Sequence, residues 1–181
     1  MSARSIPPVN KRLCRAAAAL AGVTAIAFIA GNAAMWLVPE QTEIAARNVS
    51  HMQTQQLFIT PFVRWVGLGV TTLYLCVLAW GLLSMRTLFR RLAAEEVFVA
   101  ETGVLLRRFG KALLVYAALT PVVRSAIGFL ATRNPVAHEA LLSIGIEECE
   151  VIVALIGVLI LAFGSVMADA TRIVDESREI I

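Results

Sequence analysis

The chain has 181 residues, of which 59% are hydrophobic and 16% are charged, and its mean hydropathy is +0.77. Soluble domains contain about 45–50% apolar and about 25% charged residues, so this composition excludes a soluble globular domain and a disordered chain. It indicates a multi-pass membrane protein in which residues 1–181 form a single membrane domain.

The formal net charge of +3 would also fit a protein that binds nucleic acid. The basic residues, however, cluster beside apolar runs, where positive charges set the orientation of membrane spans. We therefore expect the lipid bilayer to be the main partner and expect no direct contact with nucleic acid.

Four apolar runs are each long enough to cross a hydrocarbon core about 30 Å thick. The first run is longer than the apolar core of about 7–15 residues in a signal peptide, which favours a membrane anchor over a cleaved signal. The sequence therefore predicts an all-α fold, a polytopic four-transmembrane-helix antiparallel bundle with cytoplasmic helix extensions. The predicted spans are residues 16–38, 65–85, 112–132 and 149–168.

The distribution of basic residues predicts the orientation of these spans. With four spans, the two tails and the 86–111 segment lie on one side and carry twelve Lys and Arg, against three in the other connections. Positive charges are retained in the cytoplasm, so both termini are predicted to be cytoplasmic. Trp36 and Trp65 are then expected at the outer membrane interface, which tryptophan side chains favour.

The first outer connection, residues 39–61, begins with Pro39 and Glu40, which suit the first turn of a short helix. Such a helix would lie on the membrane surface or outside it. His51 and His138 are too far apart in sequence to suggest a metal site, so none is predicted. The cysteines lack CxxC spacing and are expected to be small buried residues: Cys14, Cys76 and Cys149.

The connection at residues 86–111 has helical amphipathicity. Apolar residues such as Leu88, Leu92 and Leu105 recur on one face, and arginines occupy the other. This pattern fits two arrangements. In the first, spans two and three continue into the cytoplasm as an inner hairpin. In the second, the segment lies flat on anionic lipid. We favour the hairpin because the apolar stripes continue the spans.

The tail at residues 169–181 keeps apolar spacings of three and four and nets −2, whereas the hairpin nets +3. Opposite charges at one depth suggest that the tail packs against the hairpin, the alternative being a frayed polar tail. A docking surface for a cytoplasmic protein is predicted at this end. Its candidate residues are Arg86, Arg90, Arg91, Arg107, Arg108, Asp175, Glu176 and Glu179.

Arg124 lies inside the third predicted span, three residues after Pro121, which permits a kink. A charge at the centre of a span costs about 2.5–3.5 kcal/mol, so this side chain should face the other helices and find a partner. Glu147, Glu148 and Glu150 stand at the same level near the start of the fourth span, and Glu150, the deepest of them, is the preferred partner. We expect an Arg124–Glu150 ion pair, which serves either as a structural clasp or as part of a substrate or ion site.

No P-loop, GxGxxG, GxSxG, HExxH or Cys/His cluster occurs. The sequence therefore predicts no catalytic residue, cofactor or enzymatic activity. Two functions remain: a non-catalytic interaction or regulatory protein that docks partners through the hairpin and tail, and a small transporter or channel component organised around Arg124. Homo-oligomers are compatible with either function.

Several short segments around the inner hairpin resemble a known signature. They are LFRRLA at 88–93, EVF at 96–98, Glu101 and LRRFG at 106–110. This pattern is similar to domain-of-unknown-function family 2975, small bacterial membrane proteins with four predicted spans, and the 162–178 stretch resembles the end of that family. The resemblance implies a bacterial inner-membrane location and no assigned activity. Members are often encoded beside small helix-turn-helix regulators, which implies a regulator-like cytoplasmic partner.

Overall fold

The structure is a computed structural model that describes residues 11–50, 57–94, 100–132, 145 and 147–178, with only the backbone for 100–101 and 171–178. Every regular element among the described residues is a helix, which confirms the predicted all-α fold. The five helices are α1 (Lys11–Leu37), α2 (Pro39–Ser50), α3 (Pro61–Ala93), α4 (Ala100–Thr132) and α5 (Glu148–Arg178).

Four of the helices are long and apolar enough to cross a membrane, and the chain is a multi-pass membrane protein. These segments are Lys11–Leu37, Pro61–Ala93, Thr102–Thr132 and Glu148–Ala170. Helices α3 and α4 contain 33 residues each. At 1.5 Å per residue each is about 50 Å long, well beyond a hydrocarbon core of about 30 Å.

The four long helices pack in chain order: α1 contacts α3, α3 contacts α4, and α4 contacts α5. The described parts of α1 and α5 share no extensive contact. Neighbouring helices are antiparallel, because contacts that advance along one helix go backward along the next. Between α1 and α3, Gly22 meets Arg86 and Trp36 meets Gly67. Between α3 and α4, Tyr74 meets Thr120 and Gly81 meets Ala112. Between α4 and α5, Gly103 meets Gly164 and Gly110 meets Gly157. The start of α1, the end of α3, the start of α4 and the end of α5 therefore lie together. We call this the basic end, since it holds most of the Lys and Arg residues.

Helices α3 and α4 continue through 86–93 and 100–111 as an antiparallel pair, as the inner-hairpin interpretation requires. The intervening residues 95–99 lie outside the described residues. The backbone of α5 continues into the predicted tail as far as Arg178, and Glu179 is outside the described residues.

Helix α1 contacts α3 through a stripe of small buried residues at three- and four-residue spacing. The stripe and the tryptophan at its end are Cys14, Ala18, Gly22, Ala25 and Trp36. A polar contact lies in the same interface, where Asn32 Nδ2 donates to Thr72 Oγ1 over 3.1 Å. The expectation that the cysteines are buried is correct for Cys14 but wrong for Cys76 and Cys149, which are exposed on helix faces that no neighbouring helix covers.

The tryptophan at the end of α1 is part of the core. Trp36 is only 1% exposed, and its ring occupies the space that a β-carbon on Gly67 would fill. The sequence placed Trp36 and Trp65 together at the membrane interface. The depth of the two side chains in the membrane stays a prediction, but the indole ring of Trp36 packs inside the protein, because a glycine on the facing helix leaves room for it.

Helix α2 covers the end of the bundle opposite the basic end. It contacts α1 and α4, with its buried face formed by Thr42, Ala45, Ala46 and Ser50. The short helix predicted after Pro39 is thus present, and one of its faces packs against the core at this end. The cluster at this end contains Trp36, Ala45, Ala46, Val63, Val123, Ile127 and Ala131.

The contact between α4 and α5 is made by backbone against backbone. A β-carbon on Gly110 would lie 2.8 Å from the carbonyl oxygen of Gly157, and one on Gly103 would lie 2.9 Å from that of Gly164. Real β-carbons essentially never approach a backbone oxygen so closely. The four glycines therefore set the close approach of these two helices, as small residues do in membrane helix pairs.

Candidate functional site

The candidate site is a cluster of charged side chains between α4 and α5, near the start of α5. Arg124 is 9% exposed and lies on the face of α4 that is turned toward the other helices. Helix α4 continues through Pro121 without interruption, and Ser125 Oγ donates to the Pro121 carbonyl over 2.7 Å. The helix therefore carries the guanidinium into the protein interior, where it needs anionic partners.

Two glutamates at the start of α5 contact this guanidinium. Arg124 Nη1 is 2.8 Å from Glu147 Oε1, and Arg124 Nη2 pairs with Glu150 Oε1. The structure thus brings together Arg124 and Glu150, the pair proposed from the sequence. It adds Glu147 as a second partner, so that one guanidinium faces two carboxylates.

Glu150 has a second contact that fixes its position. Its Oε2 accepts a hydrogen bond from the backbone N–H of Glu147 over 3.2 Å. Because α5 begins at Glu148, Glu147 is the N-cap and Glu150 is the third helical residue, so this bond is one half of a capping box. One oxygen of Glu150 therefore caps α5 while the other holds Arg124.

Burial differs sharply between the two carboxylates. The Glu150 side chain is 7% exposed, whereas the Glu147 side chain is 39% exposed. The start of a helix carries a partial positive charge that favours carboxylates, which helps to hold two of them beside one arginine. Arg124 Nε is buried without a hydrogen-bond partner, so two of the three guanidinium nitrogens are engaged.

A group of aromatic and hydroxyl side chains lies about one helical turn from Arg124. Thr120 Oγ1 donates to the Tyr116 carbonyl over 2.8 Å and is 2.7 Å from the Tyr74 hydroxyl. Since the single proton of Thr120 is already used, the Tyr74 hydroxyl is the donor to Thr120. The Tyr74 and Tyr116 rings stack with centroids 4.4 Å apart, which joins α3 to α4 beside the charged cluster.

The cluster allows three charged side chains to lie near or within the membrane, because each charge has a partner of opposite sign. Arginine only donates and ionised carboxylates only accept, so the two carboxylates pair with the terminal nitrogens of Arg124, while its Nε remains without a partner. Within the part of the chain that the structure describes, no three His, Cys, Asp or Glu side chains are grouped to hold a metal ion. The arrangement is a polar connection between α4 and α5.

The arginines proposed as a docking surface occupy several faces of the basic end. The side chain of Arg86 lies over Gly22 of α1, and Arg107 lies against Gly164 of α5. Arg91 and Arg108 line a cleft between α3 and α4, while Arg90 is exposed. The structure therefore brings Arg91 and Arg108 together and directs the others elsewhere.

The acidic members of the predicted surface are less fully described. The backbone of α5 includes Asp175 and Glu176, and Glu179 lies outside the described residues. The predicted docking between the tail and the hairpin stays a prediction at the level of these side chains.

The model of a protein family described as "Protein of unknown function (DUF2975)" matches residues 49–181, well over half of the chain. The chain belongs to the DUF2975 family. This match confirms the resemblance noted between the second and third spans. No curated protein and no solved structure matches the chain.

Both candidate sites of this DUF2975 member lie within the matched residues. The charged cluster uses Arg124, Glu147 and Glu150, and the arginines of α3 and α4 span 86–108. Helix α1 and most of α2 precede the matched region. The family description assigns no activity, so the function is inferred from the geometry.

Sequence reasoning missed several polar contacts of the DUF2975 fold. The guanidinium Nε of Arg64 donates to the Trp36 carbonyl over 2.7 Å, which satisfies one of the free carbonyls at the end of α1. Thr42 Oγ1 also donates there, to the Val38 carbonyl over 3.1 Å. Arg64 stands just before an apolar run and looks like an ordinary flanking charge, so the sequence gives no sign of this capping role.

Proposed function

We propose that this chain is a non-catalytic membrane protein that docks a cytoplasmic protein at its basic end. The observation that carries the proposal is the continuation of three helices past their uncharged stretches at one end. Helices α3, α4 and α5 extend over residues 86–93, 100–111 and 169–178. At 1.5 Å per residue these extensions are about 12 to 18 Å long.

Such extensions contribute little to crossing the membrane. Helices of about 20 residues suffice for that purpose, whereas α3 and α4 have 33 each and α5 has 31. The extra turns form a helical platform outside the apolar stretch, and rigid helices are suitable supports for a binding surface.

The charge of the platform supports a protein partner with an acidic surface. Arg90, Arg108 and Lys111 are exposed there, and Arg12 and Arg15 of α1 are exposed at the same end. Complementary charges guide the encounter of two proteins and set their orientation. The excess of positive charge also supports a cytoplasmic location for this end and for both termini. The membrane that we propose is a bacterial inner membrane.

The docking proposal can be tested by cross-linking and mass spectrometry in native membranes. We expect Arg90→Glu to abolish cross-links to the cytoplasmic partner, because it reverses an exposed charge on the platform. The matched control is Arg47→Glu on α2, at the opposite end. Deletion of residues 175–181 should likewise abolish recovery of the partner.

Two results would contradict the proposal. One is the same set of cross-linked proteins from the wild-type chain, Arg90→Glu and the tail deletion. The other is a reporter fused after residue 94 that is active only outside the cytoplasm, since that result reverses the orientation.

A second candidate is a small transporter or channel component organised around Arg124. The buried Nε of Arg124 without a partner supports it, since this donor is free to bind a solute or water. The nearby Tyr74–Thr120 hydrogen bond extends the polar surface toward α3.

Arg124→Gln distinguishes the two candidates. Solute flux or resistance that changes while membrane abundance stays normal would support transport. A variant that loses only stability would assign Arg124 to a structural clasp.

A further inference from the structure

A cleft of about 470 Å³ lies between α3 and α4 near the basic end. Trp80 and Leu83 of α3 and Leu105 of α4 form part of its wall, and Arg91 and Arg108 complete it. The volume falls within the range of about 300–1,000 Å³ that is typical of small-molecule sites. The cleft is separate from the Arg124 cluster, which lies toward the other end of α4.

The two halves of the cleft differ in polarity. Trp80 and Leu83 belong to the uncharged run 65–85, whereas Arg91 and Arg108 lie outside the uncharged runs of their helices. Gly81 meets Ala112 across the helix pair. Arg108 precedes Ala112 by about one turn, so it lies roughly 6 Å farther toward the basic end than this level.

The arginines supply the strongest donors in the cleft. The hydroxyls of Ser84 and Thr87 also line it, but they donate to the Trp80 carbonyl over 3.1 Å and to the Leu83 carbonyl over 3.0 Å. Their protons are therefore engaged within α3. No carboxylate among the described residues forms an ion pair with Arg108, in contrast to Arg124 with its two glutamates.

We propose that this cleft binds the headgroup of an anionic phospholipid. The phosphodiester contacts the guanidinium group of Arg108, since arginine forms paired, charge-assisted hydrogen bonds with phosphate oxygens. Arg91 adds a second positive charge to the wall of the same cleft. The glycerol region and the upper acyl chain lie against Trp80 and Leu83. Basic pockets between membrane helices on the cytoplasmic side are suited to anionic headgroups.

The apolar half of the cleft favours a lipid over a free anion. Trp80 is 51% exposed and Leu83 is 45% exposed, and both lie where the uncharged part of α3 reaches the membrane surface. Inorganic phosphate would occupy the basic half alone and leave these side chains uncovered. A phospholipid satisfies both halves, and tryptophan is enriched at the depth of the headgroups.

This inference goes beyond the proposed docking of a protein. Arg90 is exposed but does not line the cleft, so a substitution of Arg90 tests protein docking without altering the lipid site. Loss of protein docking in Arg90→Glu would leave lipid binding intact, and loss of lipid binding in Arg108→Gln would not by itself contradict protein docking.

The test is native mass spectrometry of the full chain released from detergent micelles. The protein is mixed with equimolar phosphatidylglycerol and phosphatidylcholine that carry identical acyl chains. We expect the wild type to bind phosphatidylglycerol about tenfold more strongly, because the choline group of phosphatidylcholine carries a positive charge that two arginines repel and that cancels the charge of its phosphate. Arg108→Gln should lower the affinity for phosphatidylglycerol about tenfold, because a hydrogen bond to a charged group contributes an effect of that order. The control Arg90→Gln should change binding by less than about twofold, as expected for an exposed charge.

Four results would overturn the proposal. The first is equal binding of the two lipids by the wild type, which needs no variant and so does not depend on the folding of a mutant. The second is equal loss in Arg90→Gln and Arg108→Gln, which would indicate a general charge effect. The third is complete displacement of the lipid by excess inorganic phosphate, which would assign the cleft to a free anion. The fourth is unchanged binding in Trp80→Ala, which would remove the apolar half from the site.

Discussion

Replacement of Glu150 by glutamine tests the charged cluster with little change in shape. The amide oxygen of Gln can still accept the hydrogen bond from the Glu147 backbone N–H, so the cap of α5 is retained. What disappears is the negative charge that faces Arg124. The guanidinium then depends on Glu147, whose side chain is 39% exposed.

The size of the effect follows from the burial of each partner. Complete removal of the partner of a buried charge costs about 3–5 kcal/mol. In Glu150→Gln one carboxylate remains, so we expect a loss of about 2 kcal/mol, within the range for hydrogen bonds to charged groups. Glu147→Gln should cost only about 0–1 kcal/mol, because this partly exposed carboxylate lies just before the span that begins at Glu148, where water can screen it. The double variant leaves Arg124 unpaired and should lose about 3–5 kcal/mol, more than the sum of the single losses.

The free energy of unfolding can be measured by titrating the full chain with sodium dodecyl sulfate in mixed micelles and following far-UV circular dichroism. A loss of about 2 kcal/mol lowers the folding equilibrium constant roughly 30-fold, which such a titration resolves. Glu147→Gln is the matched control, since it removes the same charge from the same guanidinium at a more exposed position.

The expected order of stability is wild type, Glu147→Gln, Glu150→Gln and then the double variant. A loss in Glu150→Gln that is no larger than in Glu147→Gln would refute the reasoning from burial. Strict additivity in the double variant would show that the two carboxylates do not share one guanidinium.

Two further predictions concern the packing of α4 against its neighbours. Gly110→Ala should destabilise the protein by about 1–3 kcal/mol, since its β-carbon would lie 2.8 Å from the Gly157 carbonyl oxygen. The control Gly69→Ala has open space around it and should stabilise α3 by about 0.5–1 kcal/mol. Equal losses of stability in the two variants would argue against the close contact. Tyr74→Phe should cost about 0.5–1.5 kcal/mol by removing the 2.7 Å hydrogen bond to Thr120 while the ring stack remains, and the same unfolding titration would show no loss if that bond contributed nothing.

The spans could be predicted from the sequence because lipid imposes a simple requirement. Each crossing helix must be apolar over about 20 residues, and the runs 16–38 and 65–85 satisfy that requirement without any knowledge of the fold. The same reasoning placed Arg124 and Glu150 at one depth, because helical rise converts residue number into distance. Only a few acidic residues lie at the depth of Arg124, so Glu150 could be predicted as its partner.

The burial of Trp36 could not be predicted in this way. It depends on Gly67, which is far away in sequence and removes the one atom that would otherwise block the indole ring. A tryptophan at the end of a span satisfies the rule for interface residues equally well. The choice between the two positions is made by contacts between helices, which a single sequence does not reveal.

The second partner of Arg124 and the cleft were missed for a related reason. Glu147 enters the cluster because α5 begins at Glu148, and the exact start of a helix is a difficult feature to read from a sequence. Arg91 and Arg108 line one cleft because of the register between α3 and α4. Amphipathic patterns indicate which face of a helix is basic but not which arginines of two helices become neighbours.

The glycines between α4 and α5 also restrict how this pair of helices can move. Gly103 and Gly110 are seven residues apart, as are Gly157 and Gly164, and each meets backbone on the facing helix. Any axial slide shorter than this repeat of about 10.5 Å would push β-carbons into gaps that admit only hydrogen. Helix α5 therefore cannot slide along α4 like a piston. A conformational change that this pair transmits across the membrane must be a tilt or a shift of the two helices together.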